Sequence, residues 1–105
     1  MVKTIRLRLE YNTYCLCLYD ENGEIIDNDN PPEWEDDVEL TNAFLAISDL
    51  YDTFFIDNEK EFRYTGCPDA ETGNKLKALI AHAISVLEER NKGKYFIEND
   101  IHLDF

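Results

Sequence analysis

The sequence predicts an α+β fold, a single domain over residues 1–105, with two amphipathic helices packed on one face of a single-layer, mostly antiparallel sheet of four to five strands. Three observations support this class: apolar–polar alternation near the N-terminus, an Asn-Gly hairpin signal, and two segments whose apolar residues recur at helical spacing. The predicted order is β-β-β-α-β-α-β. A chain of 105 residues is long enough to bury a core without disulfides.

Three strands are predicted in the first part of the chain. Residues 3–11 are predicted as a strand with one buried face, because the side chains from Thr4 to Tyr11 alternate between polar and apolar. Residues 14–19 are apolar on both faces, as central strands tend to be. Asn22 and Gly23 both tolerate positive φ and predict a two-residue turn into a third strand over residues 24–27.

Two helices are predicted after a loop that contains Pro31 and Pro32. The first covers residues 37–54, and its apolar stripe consists of Leu40, Phe44, Ile47, Tyr51 and Phe54. The second opens near Pro68 and is firm over about residues 74–91, where the stripe consists of Leu76, Leu79, Ile80, Ala83, Ile84 and Leu87. Gly93 fits a C-terminal cap.

Short strands are predicted between and after the helices, at residues 61–65 and 94–98. The tail, residues 101–105, alternates again and is expected to extend the last strand or to form an edge.

Charge is distributed unevenly along the chain. Residues 9–59 contain no Lys or Arg and carry 15 of the 23 acidic residues, so all ten basic residues lie outside this window. The net charge is −13. Such a block weakens the compact state by self-repulsion, which suggests a use in solubility, cation binding or docking onto a basic partner. Direct nucleic-acid binding is disfavoured because it needs clustered basic residues.

The cysteines and histidines do not form a recognisable site. Three cysteines are too few and wrongly spaced for a disulfide framework. Cys15 and Cys17 are two apart on a predicted strand, so we expect both to point to one face as buried thiols. With Cys67 they would need a histidine to bind zinc, and neither His82 nor His102 has ligand-like spacing.

Patterns for catalysis and calcium binding are also absent from the sequence. There is no Gly-x-Ser-x-Gly, no glycine-rich phosphate loop and no helical histidine pair. Counted as EF-hand loops, the segments that start at Asp20 and Asp27 place Gly23 at the fourth position and Pro32 at the sixth, against the EF-hand pattern. We therefore expect a protein that is not an enzyme and has no cofactor, metal ion or catalytic residue.

The sequence predicts a cytoplasmic protein without membrane contact. No apolar run is long enough to span a bilayer. The N-terminal residues 1–9 alternate charged and apolar side chains, whereas a signal peptide has a continuous apolar stretch.

The densest acidic cluster surrounds the only tryptophan. A tryptophan between Glu33 and Glu35 combines an aromatic anchor with a charged rim, as in many interfaces. Its alternative role is to fold back and close the core, and the alternative for the helix acids is an ordinary solvated face. The predicted partner-binding residues are Asp27, Asp29, Glu33, Trp34, Glu35, Asp36, Asp37, Glu39, Asp49 and Asp52.

Two segments, Leu-Tyr-Asp-Glu-Asn-Gly-Glu-Ile-Ile-Asp-Asn-Asp-Asn-Pro-Pro-Glu-Trp at residues 18–34 and Asp-Leu-Tyr-Asp-Thr-Phe-Phe-Ile-Asp-Asn at residues 49–58, resemble small acidic bacterial immunity proteins. These accompany polymorphic toxins, including those of contact-dependent growth inhibition. The resemblance extends over roughly residues 5–65. It implies a cytoplasmic toxin inhibitor that binds and neutralises one cognate toxin domain with a basic surface, often a nuclease.

Other functions stay open on the residues alone. One alternative is a nucleic-acid mimic of phage type, which inhibits a DNA- or RNA-binding protein. It also requires an acidic surface, but its carboxylates must be spread over several elements. A small hydrolase, a metal-binding domain and an acidic adaptor are further alternatives. The sequence does not indicate an oligomeric state.

Overall fold

A computed structural model describes residues 1–103 as an α+β fold, which confirms the predicted class and the broad order of elements. It contains two helices, a four-stranded mixed sheet and a separate two-stranded sheet. The elements are β1 Thr4–Leu7, β2 Leu16–Tyr19, β3 Ile25–Asp27, a 3₁₀ turn Pro32–Trp34, α1 Val38–Asp52, β4 Phe55–Asp57, β5 Phe62–Tyr64, α2 Ala70–Asn91 and β6 Phe96–Asn99.

The larger sheet has the order β3-β2-β1-β6. Strand β1 pairs antiparallel with β2 and parallel with β6, while β2 pairs antiparallel with β3. The core lies between one face of this sheet and the two helices, which pack against each other. Its largest fully buried side chains are Phe44, Phe54, Ile5, Leu7, Leu16, Leu18, Leu40, Ile47, Leu76 and Leu87.

Helix α1 starts where Asp37 caps it, with the carboxylate accepting a hydrogen bond from the Leu40 N–H at 3.1 Å. The helix ends at Asp52, earlier than the predicted residue 54, and Phe54 reaches the core from the following turn. Residues 55–57 then form β4, a strand that the sequence pattern did not predict. Its residues Phe-Ile-Asp, which begin with two β-prone side chains, pair with β5, and this pairing outweighs the helical spacing.

Helix α2 is longer than the firm segment predicted from its stripe. Asp69 caps its start by accepting a hydrogen bond from the Thr72 N–H at 2.7 Å. Gly73 lies buried near the start of the helix, so the helix includes it instead of starting after it. The helix ends at Asn91, and the two residues that follow it, Lys92 and Gly93, have positive φ. The predicted cap at Gly93 therefore lies two residues after the last helical residue.

Strand lengths differ from the predictions at both ends of the chain. The alternation over residues 3–11 forms a regular strand only over Thr4–Leu7, because the chain turns through Asn12 at φ 54 toward β2. Ile101–Leu103 does not extend β6 as a strand, and Asp104 and Phe105 lie outside the described residues.

Cys15 and Cys17 do not share a face. Strand β2 starts at Leu16, so the alternation that would align the two thiols does not include Cys15. Cys15 is buried against α1, with its sulfur 3.4 Å from the Ser48 hydroxyl, and burial raises the pKa of its thiol. Cys17 is buried on the other side of β2, opposite Arg6 in the register. All three cysteines are free thiols.

Neither helix of residues 1–103 combines the length and apolar character needed to cross a lipid bilayer.

Substitutions at two neighbouring positions of α1 test which face of this helix is buried. Phe44→Ala removes a ring that is 0% exposed and is expected to lower the free energy of unfolding by about 3–5 kcal/mol. Leu45→Ala shortens a side chain that is 42% exposed and should change the free energy of unfolding by less than about 0.5 kcal/mol. Denaturant unfolding of both variants measures the difference, and equal losses would contradict the described helix orientation.

Candidate partner-binding surface

The loop between β3 and α1 is held by asparagine side chains. The amide of Asn28 donates to the carbonyl oxygens of Tyr14 at 2.7 Å and Leu16 at 2.8 Å, which continues the hydrogen bonding at the edge of β2. Asn30 is buried, accepts from the Tyr14 hydroxyl at 2.6 Å and donates to the Thr41 hydroxyl at 2.8 Å. The acidic loop is therefore an ordered part of the fold.

Trp34 closes the core at one end of this loop. The side chain is partly buried, packs against the core cluster and meets Tyr95 edge-to-face, with ring centroids 5.7 Å apart. Part of the Trp34 surface therefore closes the core, which is the alternative role named above, and its contact with a partner stays a prediction. The Asn30 amide also donates to the Trp34 carbonyl at 3.2 Å, which holds the 3₁₀ turn.

Arg90, in the last turn of α2, neutralises two of the predicted partner-binding acids. Its Nε donates to Asp37 at 2.8 Å, and its terminal nitrogen contacts Glu39. Hydrogen bonds from Arg90 and then from the Leu40 backbone lower the pKa of Asp37. Asp37 therefore links the start of α1 to the end of α2 and is engaged within the protein.

Glu33 is engaged in a similar way by Lys94 and Tyr95. Lys94 Nζ lies 2.9 Å from its carboxylate, and the Tyr95 hydroxyl donates to the same oxygen. Burial acts to raise the Glu33 pKa, but these hydrogen bonds outweigh it and the pKa is lowered. The hydrogen bond to Glu33 raises the pKa of Lys94. Both shifts are the effect of a charged pair that joins the loop before α1 to the segment after α2.

The other predicted acids remain accessible. Asp27 and Asp29 are exposed, and among residues 1–103 their carboxylates accept only from the N–H of the following residue, at 2.8 and 2.7 Å. Within residues 1–103, Glu35, Asp36 and Asp49 are exposed and pair with no basic side chain. Asp52 is half-buried and accepts from the Asn12 N–H at 2.9 Å.

Accessible acids lie at both ends of the solvent-facing side of α1. Val38 and Leu45 lie between them and are 69% and 42% exposed. Positions 38, 42, 45, 49 and 52 are spaced by four, three, four and three residues, so they form one stripe of the helix. The α1 outer face is defined here as Glu35, Asp36, Val38, Asn42, Leu45, Asp49 and Asp52.

The sequence analysis missed Val38, Asn42 and Leu45 as members of this surface. The sequence indicates these residues through a second helical stripe, at positions 38, 42, 45, 49 and 52, which is separate from the core stripe. It was not used because an exposed apolar residue carries no charge and is common on protein surfaces.

The described residues contain no group of three or more His, Cys, Asp or Glu side chains arranged to hold a metal ion. Comparison with known proteins finds no matching family model, no similar curated protein and no similar solved structure. The fold and surface therefore define this chain by its class alone: an acidic α+β protein with an acidic, partly apolar helix face.

The Arg90 contacts predict a pH-dependent contribution to stability. Asp37 has a folded-state pKa below its ordinary 3.8, so its ion pair stabilises the fold fully above that value. The contribution is lost as the pH falls through the lowered pKa. Arg90→Gln should therefore destabilise the protein most near neutral pH, with a smaller difference from wild type in acid, as measured by denaturant unfolding across pH.

Arg63→Gln is the matched control for this experiment. Arg63 pairs with Glu61 at 3.3 Å on an exposed hairpin, where an ion pair contributes little. A loss of stability in Arg63→Gln as large as in Arg90→Gln would show that the helix-to-helix contact has no special role.

Proposed function

We propose that this protein is an immunity protein, a cytoplasmic, non-catalytic inhibitor that binds a cognate toxin domain with a basic surface, and that this domain is a nuclease. The toxin would belong to a polymorphic or contact-dependent growth inhibition system. The observation that carries the proposal is the α1 outer face, where exposed carboxylates without basic partners among the described residues flank two exposed apolar side chains.

This face has the chemistry needed to recognise a basic protein. Its carboxylates can accept charge-assisted hydrogen bonds from lysine and arginine. Val38 and Leu45 offer apolar area whose burial contributes about 25 cal/mol per Å². The net charge of −13 would also steer a basic partner toward the protein and accelerate encounter.

A nucleic-acid mimic is the second candidate. One observation favours it: exposed carboxylates occur on the loop before α1, on α1 and on the β4–β5 hairpin, as at Asp36, Asp49 and Asp57. Phosphate mimicry requires such a spread over several elements. The apolar side chains between the acids favour a protein-type interface, because a site built for phosphates gains nothing from them.

Co-expression with the product of the neighbouring gene tests the proposal. If that gene encodes a toxin, this protein should restore growth and form a stable complex with it. Inhibition of a DNA-binding protein, without protection from the toxin, would instead support the mimic. Growth rescue without complex formation would contradict stoichiometric inhibition.

Neutralising acids on the α1 outer face should weaken binding more than neutralising acids elsewhere. Asp36→Asn with Asp49→Asn is expected to slow association with the toxin domain about tenfold at low salt, because it removes steering charge at the contact. The measurement is stopped-flow association at about 50 mM and about 500 mM salt, and the difference should shrink at high salt.

Glu71→Gln with Glu88→Gln is the matched control, because both residues are exposed on α2 and the net charge changes equally. Equal slowing in the two double variants would show that total charge, and not the α1 outer face, controls association. Asp37 and Trp34 are unsuitable for this test, since their substitution would also disturb the fold.

A further inference from the structure

The β4–β5 hairpin carries an aromatic cluster on one face. In its register Phe55 lies opposite Tyr64 and Asp57 opposite Phe62, so these four side chains share a face. Tyr11 packs on this face, with its ring centroid 4.7 Å from that of Phe55 and 5.0 Å from that of Phe62. Phe55 and Phe62 are stacked at 5.7 Å.

Phe62 is held in place and is still 58% exposed. The ring meets Tyr11 edge-to-face and stacks on Phe55, and these two contacts hold it. An aromatic side chain held in this way loses little conformational entropy when a partner covers it, which is a property of interface anchors.

Carboxylates lie next to this ring. The Tyr11 hydroxyl donates to Asp57 at 3.1 Å, and the neighbouring Asn12 N–H donates to Asp52. Burial, followed by the hydrogen bond and charge of Asp57, raises the pKa of Tyr11. Arg63 alternates to the opposite face of the hairpin, opposite Ile56, where it pairs with Glu61.

Other aromatic rings at the surface are already covered by the protein's own cations. Lys3 lies over Phe96 at 5.7 Å from the ring centroid, and the Arg6 guanidinium lies over Tyr19 at 4.7 Å. In the part of the chain that the structure describes, no lysine or arginine lies over Phe62. Phe62 therefore offers exposed aromatic surface beside the carboxylate of Asp57, the arrangement that an external cation would complete.

We propose that this hairpin face is the second half of the docking surface, and that it receives an arginine side chain of the basic protein partner. The guanidinium would stack on Phe62 and donate hydrogen bonds to Asp57. Arginine fits better than lysine because its planar group can stack and form these bonds together. Asp52 belongs to the α1 outer face and reaches Asn12, so the two halves are continuous.

This inference rests on the proposed function for the identity of the partner, but its chemistry can be tested separately. The probes are a hexapeptide of arginine and a hexapeptide of lysine with equal charge, titrated into the full chain and followed by the ring signals of Phe62 and Tyr11 in NMR spectra. The arginine peptide should shift these signals and bind several times more tightly.

Phe62→Ala should remove the preference for arginine, and Phe96→Ala, which changes an exposed ring that Lys3 already covers, should retain it. Asp57→Asn leaves the ring cluster in place and should also reduce the preference for the arginine peptide. This second variant keeps the proposal testable if Phe62→Ala does not fold. Equal binding of the two peptides to the wild-type chain, or an unchanged preference in Phe62→Ala, would overturn the proposal.

The toxin complex separates failure of this inference from failure of the proposed function. Phe62→Ala is expected to raise the dissociation rate about tenfold with little change in association, since an anchor acts after encounter. If wild type protects and Phe62→Ala dissociates at the same rate, the hairpin proposal fails and the function stands. If wild type does not protect, the function fails, while a preference for arginine in the peptide titration still supports the hairpin chemistry.

Discussion

The constraint on which this structure depends is the shortage of positive charge: ten basic side chains accompany 23 carboxylates. The fold places several of the ten where separate elements meet. Arg90 joins the end of α2 to the start of α1, and Lys94 holds Glu33 in the loop before α1. Arg6 pairs with Glu98 across neighbouring strands. Since most carboxylates must remain without an ion pair, the positions of these contacts decide where unpaired negative charge collects.

These ion pairs divide the acidic cluster around Trp34 into carboxylates that hold the fold together and carboxylates that stay accessible. Asp37, Glu39 and Glu33 hold elements together, and Trp34 completes the core beside them. Glu35 and Asp36 lie instead on the α1 outer face, while Asp27 and Asp29 are exposed at the end of β3 and in the loop that follows it. In the proposed complex these acids govern encounter, because exposed charge acts at a distance and is screened by salt. The aromatic face of the hairpin acts later, because stacking requires contact and therefore controls residence time.

The fold was predictable from the sequence where the period of the apolar residues was unambiguous. The stripes through Phe44 and Leu76 identified both helices and their buried faces, and the Asn-Gly turn identified the β2–β3 hairpin. Strand β4 was missed because Phe54 and Phe55 continue a helical spacing while their partner strand lies further along the chain. The parallel pairing of β1 with β6 was also unpredicted, since it joins the two ends of the fold through contacts that no local pattern encodes.

The sequence by itself determined that the protein is acidic, that its basic residues avoid residues 9–59, and that two helices cover a sheet. These properties follow from composition and local periodicity. Only the tertiary structure decided which carboxylates are neutralised and which are accessible. Asp37 and Arg90 are separated by 53 residues, and Phe62 and Tyr11 meet only because the hairpin folds back onto the turn before β2. Contacts between residues so far apart in the chain arise from packing, so charge counting alone could not separate the accessible acids from the structural ones.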